Sequence, residues 1–125
     1  MNAWFLAAGI TAGAVAAIHA VAGGQDVVRP LLAGNLPGEP RRVLHAVWHM
    51  VTTDLMLAAV ALIWLALGDR PGGDTIAWLL AAHFVAYSGV FLAVSLAASW
   101  SKPLLRLPQW MLLLPVAVLA AAGAA

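Results

Sequence analysis

Four histidines and one aspartate stand inside stretches where water-loving groups are rarely found. His19, His45, His49, His83 and Asp54 all fall within long apolar runs. Imidazole ligates haem iron, copper and zinc, and a carboxylate beside an imidazole can carry a proton or hold a cation. In hydrocarbon an ionisable side chain costs several kcal/mol unless it is partnered, so each of these groups needs a partner or a task.

Spacing sorts them. His45 and His49 are four residues apart, so on a helix they share a face, which Thr52, Thr53 and Met56 continue. Asp54 lies nine residues from His45, about two and a half turns, and so faces nearly the other way. His19, His45 and His49 sit at similar depth toward one end of their helices, and their shared depth predicts a three-histidine pocket. Such a pocket suits haem b held by His19 with His45 or His49, or a transition metal held by all three. The His45/His49 pair is the minimal metal-binding element. Arg29, Arg41 and Arg42 flank the pocket and are candidate contacts to lipid headgroups or haem propionates. Asp54 and His83 form a second, mid-membrane candidate pair, with Tyr87 as an alternative partner for the carboxylate. A lone mid-membrane carboxylate resembles the one used by small proton-coupled exporters, although helix one here carries none.

The elements that position these groups follow from composition. The chain has 125 residues, 64% of them hydrophobic and 9% charged. A soluble domain carries about 25% charged residues, and a chain this short cannot bury so much apolar surface in its own core. Lipid is the expected solvent. Apolar runs of about 20 residues in lipid must be helical, because every backbone amide needs an internal partner. Four such runs appear, at about 3–22, 43–67, 75–100 and 104–124, and they predict an all-α, single-domain, four-helix transmembrane bundle. Gly23-Gly24 reads as the end of helix one, and Pro37, Gly38 and Pro40 as an irregular approach to helix two. Val27 to Ala33 reads as a short interfacial helix. Pro108 marks the alternative start of helix four, and Pro115 should bend it. The N-terminus lacks a basic leader region and reads as a retained span.

Arg29, Arg41, Arg42, Lys102 and Arg106 lie on one side and Arg70 on the other. The positive-inside rule then predicts both termini outside the cytoplasm, in a bacterial inner (plasma) membrane. Trp4, Trp64 and Trp78 mark one interface, and Trp48, Trp100 and Trp110 the other. Gly9, Gly13 and Ala17 give helix one a small-residue stripe for close packing, expected within the chain, with a seam between two copies as the alternative.

Several function classes drop out. There is no cysteine, hence no disulfide and no thiolate metal site. No basic patch points to nucleic acid, and without a nucleophile elbow, paired carboxylates or a phosphate loop the enzymatic expectation narrows to lipid-modifying chemistry by His and Asp. Three other expectations remain: a binder of haem, metal or a small ligand through the histidines, a proton-coupled small-molecule transporter subunit using Asp54, or a structural assembly subunit.

Overall fold

The computed structural model covers all 125 residues and is helical throughout, with no strand. Helix α1 (Ala3–Ile18) continues without a break into a π-helical stretch (His19–Val28) and then α2 (Arg29–Ala33). Helices α3 (Gly38–Ala66) and α4 (Gly73–Ala97) follow. A single turn, α5 (Pro103–Arg106), precedes the last helix, α6 (Gln109–Ala124). Three of these rods are long and apolar enough to cross a membrane: Ala3–Ala33, Gly38–Ala66 and Gly73–Ala97. They fit an integral membrane protein.

Three boundaries differ from the sequence expectation, and one of them is the fourth run, expected at 104–124 but split between the α5 turn and α6, which starts at Gln109. Gly23-Gly24 does not end the first helix. The backbone widens by one residue per turn instead, so that the Arg29 N–H bonds the Gly24 carbonyl. The wider turns accommodate Pro30, which has no N–H and would clash with a carbonyl in a regular α-helix. Val27 to Ala33 is therefore the end of a long rod and not a separate foot. The second rod begins at Gly38, earlier than expected, because Pro37 stands just before the helix and Pro40 falls in its first turn, where a missing N–H costs nothing. Arg41 Nη1 donates to the carbonyls of Leu32 (3.3 Å) and Gly34 (3.5 Å), closing the hairpin between the two rods.

Helix α1 is the hub. It packs along α3 on one side and α6 on the other, while α4 packs on α6. The core between them is built largely of alanine: Ala8, Ala12 and Ala16 of α1, Ala58 and Ala59 of α3, Ala117 and Ala120 of α6, filled by Leu62, Phe84 and Val116. Lipid tails are as apolar as leucine, so helices in lipid gain little from hydrophobic burial and associate where small residues let backbones approach. Gly9 marks a close approach of the α1 and α3 backbones. A Cβ there would stand 2.6 Å from Ile63 Cγ1 and 3.1 Å from the Ala59 carbonyl oxygen. This face of α1 is thus occupied by α3 of the same chain. Ala17, by contrast, is exposed.

The Arg70 end is tied by one residue. Asn2 Oδ1 accepts from the backbone N–H groups of Trp4 (3.0 Å) and Phe5 (3.2 Å), capping α1. Its Nδ2 donates to the Gly123 carbonyl (2.9 Å), and its own N–H donates to the Ala66 carbonyl (3.0 Å). One side chain and its amide thereby join three helix ends. Asn2→Ala should lower stability by about 1–2 kcal/mol, measurable as a fall in Tm in detergent. An unchanged Tm would show that these bonds contribute nothing net.

Helices α3 and α4 are consecutive and antiparallel, yet they touch sparingly. Adjacent in sequence, they would be expected to pack against each other. Here each leans on a different neighbour, and a cleft opens between them.

Candidate functional site

The cleft between α3 and α4 has a volume of about 380 Å³. Leu57, Ala58 and Ala61 line it from α3, and Ile76, Leu79 and Leu80 from α4. Asp54 and His83 line its inner end, the one farthest from the Arg70 turn. The His83 Nε2–H donates to Asp54 Oδ2 at 2.9 Å. With Asp54 ionised, this bond needs the His83 proton on Nε2, because a carboxylate only accepts. The Tyr87 ring lies one turn further along α4, tilted against His83 with ring centroids 4.1 Å apart, and its phenol faces the same carboxylate. Phe84 meets the His83 ring edge-on from the core side.

Depth places this group in the middle of the apolar zone. Asp54 lies twelve residues from the Ala66 end of α3, and His83 ten residues from the Gly73 end of α4, so both stand about 15–18 Å from the Arg70 turn. Half the thickness of a bilayer core is about 15 Å. The pair is only partly covered by protein, with Asp54 40% and His83 31% side-chain exposure.

A second, more polar cavity of about 440 Å³ sits at the Arg70 end, bordered by Asn2, Asp69, Arg70 and Asp74. Its walls include Leu65, one turn from Ala61, and Gly73, less than one turn from Ile76. The two cavities are stacked along the same pair of helices, the more polar one outermost.

The histidines of the other half do not assemble as the sequence suggested. His45 and His49 are together, with their Nε2 atoms 3.1 Å apart. His19 is not with them. Its ring stacks on Trp48, with centroids 3.8 Å apart and planes at 15°, and its Nε2–H donates to the Trp48 carbonyl at 3.4 Å. No three histidine or carboxylate side chains gather closely enough to hold a metal ion. A haem b slot between His19 and His45 or His49 is also not formed, because the indole covers the His19 ring and its Nε2 is turned to a carbonyl. The reason is angular. Trp48 projects between the His45/His49 face and the core, and it fills the side of α3 that meets the first rod. Gly23 makes room for it, since a Cβ there would run into the indole ring.

The flanking groups also have local partners. Arg41 closes the α2–α3 hairpin, whereas Arg29 and Arg42 are exposed. Ser88 donates to the Phe84 carbonyl of its own helix, and Ser95 Oγ is buried without a partner, so neither serves a histidine. Two contributors were not apparent from sequence. Gly23 reads as a helix terminator when its partner Trp48 is unknown. Asn2 carries a signal that was available, an N-cap residue directly before an apolar run.

No family model, curated protein or solved structure matches this chain.

Proposed function

We propose that this chain is a small proton-coupled membrane transporter, or a subunit of one, whose α3–α4 cleft binds an amphipathic cation in competition with a proton on Asp54. The observation that carries this reading is the Asp54–His83 pair at the inner end of an apolar cleft at mid-membrane depth. A volume of about 380 Å³ is within the range of small-molecule sites, and a mostly apolar lining with one convergent polar group is their usual composition. An apolar wall with a single carboxylate at its end favours a ligand with a hydrophobic body and one positive charge.

Coupling follows from the arithmetic of a single acceptor. Asp54 can hold a proton or pair with the cation, not both, so entry of one favours exit of the other. His83 holds the carboxylate in position and relays protons, and the polar cavity at the Arg70 end supplies water to the outer side of the pair. In this reading α6 crosses the bilayer as a fourth helix with α5 completing its path, since its inner face is buried against the rest of the core. Both termini and the Arg70 turn face away from the cytoplasm, following the distribution of arginines.

The test is uptake of tetraphenylphosphonium into vesicles that contain only this protein and lipid. An imposed pH gradient should drive accumulation, and the same gradient collapsed by a protonophore should not. Equal uptake in protein-free vesicles would overturn the reading.

A further inference from the structure

On the flank of α3 turned away from the cleft, His45 and His49 form a different kind of site. The structure assigns them as a two-imidazole chelate for one divalent transition-metal ion per chain, of the copper, nickel and zinc class. This inference is independent of the transport reading, which rests on other residues and the opposite side of the helix.

The geometry carries it. The two Nε2 atoms are 3.1 Å apart, close enough for one ring to donate its N–H to the other. Metal–imidazole bonds are about 2.0–2.1 Å, so two nitrogens at this separation subtend about 95° at a shared ion. That angle lies between square-planar and tetrahedral coordination, the geometries of copper and nickel on one hand and zinc on the other. The ring planes are tilted by 54°, and a modest rotation of each ring turns both lone pairs to one point. On binding, the ring that donated its Nε2–H carries its single proton on Nδ1 instead, as the accepting ring already does, so the hydrogen bond between the rings is exchanged for two metal bonds.

The surroundings permit an ion to arrive. His45 is half-buried and His49 exposed, and the side-chain hydrogen bond of each ring is to the other. They lie about 32 and 26 Å from the Ala66 end of α3, which brackets the far edge of a bilayer core about 30 Å thick. Water and headgroup oxygens are available there to fill the remaining coordination positions. The backbone beneath is regular α-helix, with Thr52 and Thr53 donating to the Trp48 and His49 carbonyls, both at 3.0 Å. Neither histidine needs to leave its helical position to chelate.

The chemistry predicts an order of affinity. A nitrogen site with open positions should bind Cu²⁺ more tightly than Ni²⁺, and Ni²⁺ more tightly than Co²⁺ or Mn²⁺. The experiment is titration of the detergent-purified full chain with CuCl₂, followed by calorimetry and by electron paramagnetic resonance. One Cu²⁺ per chain is expected, with hyperfine structure from two equivalent nitrogens. His45→Gln and His49→Gln should each weaken binding by more than about tenfold, since loss of a ligand exceeds the loss of a supporting contact. His19→Gln should bind Cu²⁺ as tightly as the wild-type chain. Near-ultraviolet circular dichroism of the tryptophans checks that each variant is folded. Retained affinity in folded His45→Gln or His49→Gln would overturn the assignment. So would equal loss in His19→Gln, or one ion per two chains, which would place the site between copies.

Discussion

Asp54→Asn should abolish pH-driven cation uptake, by about a hundredfold or more, while the protein stays folded and becomes no less stable. The magnitude is that of removing a positioned proton-transfer group. Asparagine has the same shape, and its amide oxygen still accepts the His83 Nε2–H that Asp54 Oδ2 accepts at 2.9 Å. What it lacks is the ability to be charged or to release a proton. A charge at the centre of a membrane helix costs about 2.5–3.5 kcal/mol on insertion scales, so a neutral isostere relieves that cost. The expected signature is therefore loss of transport together with an equal or higher Tm. A purely structural Asp54 predicts the reverse, unchanged transport with a lower Tm, and that outcome would remove Asp54 from the mechanism. Asp54→Glu, which keeps the charge but lengthens the arm, should retain part of the activity, because the cleft is open on the side the carboxylate faces.

Gly9→Ala should destabilise the chain by about 2–3 kcal/mol, whereas Gly13→Ala should be neutral or mildly stabilising. Both changes add one methyl group to the same face of α1, and only the space differs. At Gly9 the new carbon meets Ile63 Cγ1 at 2.6 Å, the Ile63 backbone nitrogen at 2.9 Å and the Ala59 carbonyl oxygen at 3.1 Å. Two of those atoms are backbone and cannot rotate away, so the two helices must separate, with the cost typical of overpacking. At Gly13 the nearest atom is Ala59 Cβ at 4.0 Å, an ordinary contact. Removing a glycine from a helix interior then returns up to about 1 kcal/mol of backbone entropy. Reversible unfolding of both variants in mixed micelles decides the matter. If Gly9→Ala instead left unfolding unchanged and shifted a monomer–dimer equilibrium, the stripe would be a seam between copies.

The small-residue stripe illustrates how far sequence patterns reach. Spacing of four residues announces that two backbones approach, but it does not name the partner. Gly9 finds α3, Ala8 and Ala12 enter the core, and Ala17 is left outside, because a helix face about 100° wide can meet two neighbours at once.

The sequence by itself determined the helical class, the long apolar rods, the matching positions of Asp54 and His83 along their helices, and the common face of His45 and His49. These depend on composition, on one-dimensional length and on the 3.6-residue period, all of which are local. Tertiary structure decided the rest. It set His19 against Trp48 instead of beside the other two histidines, since rotation about the helix axis is fixed by packing partners. It placed Gly23 against the indole of Trp48, where a Cβ would not fit, and carried the first rod past Gly23-Gly24 in widened turns. It opened the cleft between α3 and α4, since each of those helices found its closer fit elsewhere, α3 on α1 and α4 on α6. Depth can be counted along a chain, but the direction in which a side chain looks is settled only when the neighbouring helices are in place.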